Sequence, residues 1–375
     1  MATLEHSPSK ASTILQRRNG KFLNTLSTGV FILSGLGVLF ILGRELLDNP
    51  PLFIQQMLNG LQLGFIYALI ALGYTMVYGI VKLINFAHGD VFMIGAFTSF
   101  YAISIMNLHS WPTRLFPGMA PGLSIILGTI TVMLLSMVIS GTLAVVIERF
   151  AYRPLRDKPR IAALITAIGV SFFLEYFGAL PFTLTNNYIT YPRPFEISVF
   201  SAGIVPTWIV IALWALFVIS VGAYALLRIL GRKGNIAAQI WSRHPLLQFG
   251  MMLGGFLAVV LTLTTLRIET DRGLWDLSVS NVMLVIMGAS ILLQLVLQYI
   301  VRQTQLGKAM RATAYDKPTS RLMGINVDGV ITATFALGGA LGGAAGVLYA
   351  TAFKQVHHLM GIIPGLKAFV AAVLG

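Results

Sequence analysis

Long apolar runs divide this chain and constrain its fold more than any other feature. A helix needs about 20 apolar residues to cross a hydrocarbon core of about 30 Å. Lipid offers the backbone no hydrogen bonds, so a spanning segment must be a helix or part of a closed barrel. The runs show no alternation at period two, which indicates helices. Six runs contain no charged residue: 22–43, 122–147, 204–227, 245–266, 277–301 and 329–353.

Four more spans are predicted at 53–81, 91–106, 161–184 and the final run 365–375. Only 10% of the residues are charged, against about 25% in soluble domains. We therefore predict an all-α, polytopic integral membrane protein with about ten transmembrane helices.

Positive charge is unevenly distributed between the predicted loops. If the N-terminus is cytoplasmic and each run crosses once, the cytoplasmic segments hold 19 of the 26 Lys and Arg residues. Cytoplasmic loops of membrane proteins carry an excess of these residues. The bias predicts a cytoplasmic N-terminus. It also explains the net charge of +13 by topology, so nucleic acid is not an expected partner.

Three regions are predicted along the chain: a basic cytoplasmic tail at 1–21, an uncleaved additional transmembrane helix at 22–50, and the main transmembrane domain at 51–375. The chain ends inside the apolar stretch "KAFVAAVLG". A helix ending in the bilayer would leave its last carbonyls without partners, so we expect the natural protein to continue. The sequence contains no cysteine, which excludes disulfides and thiol chemistry.

The stretch "LINFAHGDVFM" places polar residues between two apolar runs: Asn85, His88, Gly89 and Asp90. In one interpretation they form a helix-connecting turn, with Asn85 as N-cap. In the other they belong to a translocation path, because an Asp at the centre of a membrane helix costs about 2.5–3.5 kcal/mol and tends to face protein or water. The residues alone support both interpretations equally.

Glu175 lies inside a predicted span and is the second carboxylate at depth. At that position it should face the bundle interior, near the hydroxyls of Thr166 or Ser171. It is either a hydrogen-bonded structural residue or part of the lining of a substrate path.

The segment "GGALGGAAG" repeats small residues at helical spacing, with Gly338, Gly342 and Gly346 on one face. Such a face lets two helices approach closely. We therefore predict helix packing here; a helix that lines a narrow path is the alternative.

The internal loop 302–328 has the pattern of an amphipathic, basic helix. It is either a helix on the membrane surface, with its Lys and Arg side chains reaching the interface, or a docking element for a soluble motor subunit. The chain itself has no G-x-x-x-x-G-K-[ST] loop for nucleotide phosphates, no H-E-x-x-H and no G-x-S-x-G. We predict no catalytic residues, no metal site and no cofactor, and therefore no enzyme.

Four stretches resemble, in order, the signatures of branched-chain amino-acid ABC transporter permeases of the LivH type, within the LivH/LivM superfamily. They are "NGLQLGFIYALIALGYTMVYGIVKLINFAHGDVFMIGAF" (59–97), "VIERFAYRPLRDKPRIAALITAIGVSFFLE" (146–175), "QTQLGKAMRATAYDKPTSRLMGINVDGVITATFALGGALGGAAGVLYA" (303–350) and "GLKAFVAAVLG" (365–375). The resemblance covers most of 53–184 and 277–375.

This resemblance implies a permease subunit in the bacterial inner membrane, with multiple spans. The implied partners are a second, LivM-like permease, two cytoplasmic ABC ATPases that hydrolyse ATP, a periplasmic substrate-binding protein, and the lipid bilayer. It also implies that the loop in this chain sits in a groove of the ATPase. The residues matching this coupling loop are Gly307, Arg311, Ala312, Asp316, Arg321 and Gly324.

The chain departs from the family pattern at residues 1–50, at 200–276, which we interpret as an insertion with two extra spans, and beyond the final "AAVLG". The implied substrate is a branched-chain or other neutral amino acid, with urea or a short amide as the alternative in the same superfamily. A different class, an ion-coupled secondary transporter, would need paired carboxylates. Asp90 and Glu175 are the candidates, and they are predicted on different helices.

Overall fold

The computed structural model describes residues 10–82, 85–156, 158–180, 187–195, 199–200, 207–232, 250–251, 254–255, 258, 267–270, 273–276 and 279–374. The described helices are α1 (Lys10–Asp48), α2 (Pro50–Val81), α3 (His88–Ser104), α4 (Trp111–Leu115), α5 (Pro121–Ile147), α6 (Arg160–Gly178), α7 (Thr207–Arg232), α8 (Asn281–Gln303), α9 (Gln305–Tyr315), α10 (Lys317–Leu322), α11 (Val327–Phe353) and α12 (Ile362–Leu374). A π-helical turn, Glu148–Tyr152, continues α5.

Seven of the described helices are long and apolar enough to cross a membrane, and the number is eight if α3 and the segment Leu108–Leu115, bent by 60°, form one span. The all-α, polytopic architecture is confirmed. The predicted span 245–266 lies almost entirely outside the described residues. The final apolar run forms the short helix α12, so the total of about ten spans and the orientation of the N-terminus stay predictions.

Short strands connect the helix ends in three antiparallel pairs. They are β1 (Ile189–Thr190) with β6 (Gln355–Val356), β2 (Val199–Phe200) with β5 (Val279–Ser280), and β3 (Arg267–Thr270) with β4 (Gly273–Asp276). None is longer than four residues, so they do not change the helical class.

Side chains cap the N-termini of helices in the second half of the chain. A capping oxygen accepts a hydrogen bond from a backbone N–H that has no partner within the first turn. Such caps explain where these helices begin, at polar residues between apolar segments. The capping residues are Ser280 for α8, Thr304 for α9, Asp316 for α10 and Asn326 for α11.

Contacts divide the chain into two units, Met1–Leu58 and Asn59–Gly375. In the first unit, large apolar side chains of α1 such as Leu33, Phe40 and Leu47 are exposed. The exposed apolar side chains between Val30 and Leu47 suit contact with lipid. The second unit contains the buried residues discussed below.

Helix α11 is the central element of the second unit, and most of its residues are buried. It packs against α3 and α5, and side chains such as Phe335, Leu341 and Leu348 fill the surrounding core. The C-terminal end of α11 is held by Arg193, whose Nε donates to the Thr351 carbonyl at 2.7 Å. A cation at this end complements the helix dipole.

Candidate functional site

Asn85 does not cap α3. The N-cap is Ala87, which makes no side-chain capping bond. The Oδ1 of Asn85 instead accepts a hydrogen bond from the Oη of Tyr152 at 2.6 Å, and both residues are buried. The capped-turn interpretation is therefore wrong for this side chain, because its oxygen is used for a contact with the π-helical turn that follows α5.

His88 is buried in the contact between α2, α3 and α11. Its ring meets Tyr74 edge to face, with centroids 4.6 Å apart. A Cβ at Gly73 would lie 2.5 Å from the ring Nε2, so the glycine makes room for the imidazole. Among the described residues, this Nε2 has no hydrogen-bond partner.

Asp90 and Glu175 are brought to the same cavity by α3 and α6. The hydroxyl of Ser171 donates to Oδ2 of Asp90 at 2.5 Å, and both carboxylates are buried. The cavity has a volume of about 170 Å³, and no Lys, Arg or His is among its described lining residues. Asp90 and Glu175 therefore line the same cavity, with no cation among its described lining residues.

The remaining walls of this cavity are apolar or consist of bare backbone. Ile168, Phe172 and Leu366 contribute apolar side chains that are also exposed at the surface of the chain. Gly89 lies against α12, since a Cβ at this position would be 2.6 Å from the Gly361 carbonyl oxygen. Gly89 therefore serves close backbone contact.

Thr166 is not part of this arrangement. Its hydroxyl donates to the carbonyl of Ala162 in its own helix at 2.9 Å, and it is absent from the cavity lining. The structure thus brings together Gly89, Asp90, Ser171 and Glu175, and it places Thr166 elsewhere on α6.

The glycines of α11 lie where neighbouring helices come closest. A Cβ at Gly346 would overlap the Phe92 carbonyl oxygen of α3, and one at Gly338 would lie 3.2 Å from the Gly73 oxygen of α2. Gly342 lies beside His88. At Gly346 the α3 backbone occupies the space of a side chain, at Gly338 a Cβ would be tight against α2, and at Gly342 it would make an ordinary contact with the imidazole ring.

The predicted coupling loop forms the short helices α9 and α10. Gly307 is packed against the end of α8, and a Cβ there would overlap the Val301 and Ile300 carbonyl oxygens. Arg311 donates to the Val301 carbonyl, which attaches α9 to the end of α8. Ala312, on the same helix, is half-buried.

Asp316 ends α9 and begins α10. Its side chain accepts hydrogen bonds from the backbone N–H and the hydroxyl of Thr319, at 3.2 and 2.5 Å, and these bonds lower the pKa of the carboxyl. Gly324 follows α10 with φ of 81°, a conformation that favours glycine. Arg321 lies 3.6 Å from Asp328.

One partly buried ionic network was not predicted from the sequence. Arg156 pairs with Glu148 and, at 2.5 Å, with Asp328 at the start of α11. Glu148 is buried and also accepts from the Thr332 hydroxyl at 2.9 Å. The available signal was a carboxylate directly after an apolar run with an arginine eight residues later, in "ERFAYRPLR".

The outer side of the coupling loop exposes apolar side chains. Tyr315, Leu322 and Met323 are 95%, 87% and 78% exposed. They lie next to charged residues on a segment between the membrane-length helices α8 and α11. Exposed apolar patches of this kind mark interaction sites.

The chain resembles known transport proteins over most of its length. The family model described as "Branched-chain amino acid transport system / permease component" matches residues 56–375. The chain is 33% identical over 323 residues to the high-affinity branched-chain amino acid transport system permease protein LivH of Salmonella typhimurium, which covers 86% of this chain and 79% of the relative.

Two further relatives have the same coverage. LivH of Escherichia coli (strain K12) is 32% identical over 323 residues. The high-affinity branched-chain amino acid transport system permease protein BraD of Pseudomonas aeruginosa is 30% identical over 326 residues. No solved structure matches the chain significantly.

Proposed function

We propose a specific transport role for this chain on the premise that it belongs to the family of permease components of branched-chain amino acid transport systems. It is a membrane transport subunit, and in our proposal it forms part of the path for branched-chain or other neutral amino acids across the bacterial inner membrane. Its N-terminus lies in the cytoplasm. The names of the relatives favour amino acids over urea.

The cavity between α3, α6 and α12 carries this proposal. A zwitterionic amino acid brings an ammonium group, whose transfer from water to a low-dielectric site costs several kcal/mol unless an opposite charge compensates it. Asp90 and Glu175 offer carboxyl oxygens to this ammonium group, and no Lys, Arg or His among the described lining residues competes with it. Ile168, Phe172 and Leu366 supply apolar surface for an aliphatic side chain.

Exposure of this cavity also supports a second permease as partner. Its apolar wall residues reach the surface of the chain, as Phe172 is 56% exposed. A LivM-like subunit packed on this surface would complete the cavity and close the path from lipid. A periplasmic binding protein would deliver the substrate to the outer end.

Uptake measurements test the role of the carboxylates. Asp90→Asn and Glu175→Gln should each lower leucine uptake about tenfold or more in the reconstituted system, because a hydrogen bond to a charged group contributes about 1.5–3 kcal/mol. Glu45→Gln, an exposed carboxylate on α1, is the matched control and should transport normally. Unchanged uptake in both cavity variants, with normal membrane insertion, would remove the site from the path.

The coupling loop supports two cytoplasmic ATPases as the source of energy. Tyr315, Leu322 and Met323, on α9, α10 and the residue after α10, are largely exposed apolar side chains, and burial in a groove of a soluble protein would remove them from water. Co-purification from the native membrane with a tag on this chain should recover a second permease and two ATPase chains. Recovery of this chain alone, after crosslinking in mild detergent, would contradict the proposal.

One observation favours an ion-coupled mechanism as a second candidate. The sequence placed Asp90 and Glu175 on different helices, yet Ser171 and the shared cavity bring them together, as a site for a coupling ion would require. Uptake into proteoliposomes separates the mechanisms. A requirement for ATP and a binding protein supports the first, and uptake driven by an ion gradient alone supports the second.

A further inference from the structure

A second and larger cavity lies beneath the coupling loop, away from Asp90 and Glu175. Its volume is about 910 Å³. It is lined by the end of α2, the segment 148–158, the beginning of α6, the loop helices α9 and α10, and the beginning of α11. The cavity therefore lies where membrane-length helices meet the loop.

Positive charge is concentrated on the wall of this cavity. The described lining residues include five cations and two carboxylates. Both carboxylates are already engaged, Glu148 with Arg156 and Thr332, and Asp316 with Thr319. The five cations are Lys82, Arg156, Lys158, Lys317 and Arg321.

Lys317 is surrounded by other cations of this cavity wall. Its Nζ donates to the Val81 carbonyl at 3.0 Å, which connects α10 to the end of α2. Burial lowers the pKa of Lys317, and the positive charges of Arg156, Lys82 and Arg321 lower it further. Asp328, next to the cavity, is shared by three arginines, Arg153, Arg156 and Arg321, so it does not neutralise the lysines.

A buried hydroxyl on the same wall has no hydrogen-bond partner within the described part of the chain. Thr313 of α9 is 1% exposed, and its Oγ1 makes no hydrogen bond with any described residue. A buried polar group without a hydrogen bond is costly. A ligand in the cavity that accepts a hydrogen bond would remove this cost.

The rest of the wall is apolar. Ile80, Leu155, Ala163, Ile331 and Phe335 all contribute to it. A free inorganic anion would use the lysines but leave this surface uncovered. Basic pockets between transmembrane helices on the cytoplasmic side bind the headgroups of anionic lipids.

We propose that this cavity binds an anionic phospholipid, with the headgroup phosphate between Lys82, Lys317 and the Thr313 hydroxyl and an acyl chain along the apolar wall. The lipid bridges α2 and the coupling loop, so it stabilises the position of α10. The proposal relies on the proposed function only for placing this end of the helices at the cytoplasmic leaflet.

Thermal unfolding of the full-length chain in detergent, after removal of lipid, tests the binding. Phosphatidylglycerol should raise the unfolding midpoint, whereas phosphatidylcholine with the same acyl chains and inorganic phosphate should not. The combined change Lys82→Asn and Lys317→Gln should weaken the apparent affinity for phosphatidylglycerol about tenfold or more, since each cation near anionic lipid contributes about 1 kcal/mol. Asn at position 82 tolerates the left-handed conformation found there, φ 61°.

Matched variants keep the result interpretable. Lys308→Gln removes a charge from α9 outside the cavity lining. Phosphatidylglycerol should raise the unfolding midpoint of this variant as much as that of the wild type. If the double variant does not fold, the single change Lys82→Asn replaces it, because Lys82 is an exposed residue that lines the cavity and belongs to the proposed headgroup site. Thr313→Val should also reduce the rise in the unfolding midpoint that phosphatidylglycerol causes.

Three results would overturn the proposal. If phosphatidylcholine raised the unfolding midpoint as much as phosphatidylglycerol does, the negative charge of the lipid would have no role. If inorganic phosphate alone raised the midpoint by the same amount, the cavity would be a site for small anions. No shift with phosphatidylglycerol, together with loss of ATPase co-purification in the lysine variants, would assign the cavity to an acidic segment of a protein partner. The lipid measurements use the isolated chain, so they can fail without any change in transport activity.

Discussion

The hydroxyl of Ser171 donates a hydrogen bond of 2.5 Å to the carboxylate of Asp90, across 81 residues of sequence. The bond joins α6 to α3 at the cavity that Glu175 also lines. Ser171 thereby holds one carboxylate in place while the other stays close to it.

Ser171→Ala should lower uptake of leucine several-fold, because it removes the hydrogen bond that positions Asp90, and such a bond contributes about 0.5–1.5 kcal/mol. Thr166→Val on the same helix is the control, since the Thr166 hydroxyl only bonds to its own backbone. The test compares initial rates of leucine uptake at equal amounts of each variant in the membrane. Equal rates for both variants and the wild type would show that the Ser171 hydroxyl has no role in transport.

Gly346→Ala should destabilise the chain by about 1–3 kcal/mol, the usual cost of overpacking a well-packed core. The added Cβ would overlap the Phe92 carbonyl oxygen and lie 2.7 Å from the Ala96 nitrogen, and backbone cannot move aside easily. Gly60→Ala on α2 is the control, as its Cβ would meet nothing within 4 Å. Thermal unfolding in detergent should show a lower midpoint for Gly346→Ala alone, and a wild-type midpoint would mean that α3 and α11 separate without cost.

Arg156→Gln should destabilise the chain by about 3–5 kcal/mol, because it leaves the buried Glu148 carboxylate without its cation. Arg149→Gln, an exposed arginine in the same turn, should have little effect. The double variant Glu148→Gln with Arg156→Gln should recover part of the loss, since no uncompensated charge is left. Denaturant unfolding gives the free energy of unfolding of the two single variants and the double variant. If Arg156→Gln were as stable as Arg149→Gln, the Arg156–Glu148 ion pair would have no structural role.

Leu322→Ser with Met323→Ser should abolish co-purification of the ATPase subunits while leaving the unfolding midpoint unchanged. Both side chains are largely exposed, so they contribute little to the fold but are available to a partner. Ser substitution also keeps the charge of the loop constant. Retention of the ATPase chains at wild-type levels would place the docking surface elsewhere.

Arg311→Glu should uncouple ATP hydrolysis from uptake, with the permease still inserted. Its side chain attaches α9 to the Val301 carbonyl at the end of α8, and a carboxylate would be repelled by that carbonyl and by the helix C-terminus. Arg311→Glu should act by displacing α9, whereas the changes at Leu322 and Met323 should act by weakening the docking of the ATPase. Measurement of ATPase activity together with uptake would separate these two effects. Normal uptake in the Arg311→Glu variant would exclude a coupling role for Arg311.

Features that depend on local pattern could be predicted from the amino-acid sequence alone. Apolar runs long enough to span a membrane predict the helices because both the bilayer thickness and the helix rise are constant. The spacing of Gly338, Gly342 and Gly346 predicts one small-residue face for the same reason. Family membership followed from ordered motifs at both ends of the main domain.

The side-chain contacts between helices became known from the three-dimensional packing. No periodic pattern in the sequence predicts three of these contacts. They are the hydrogen bond from Ser171 to Asp90, the space that Gly73 leaves for His88, and the hydrogen bond from Tyr152 to Asn85. Lateral position and rotation of each helix are set by packing against all its neighbours at once. The same physics explains why Thr166 and Ser171, five residues apart on α6, have different partners: only Ser171 faces α3.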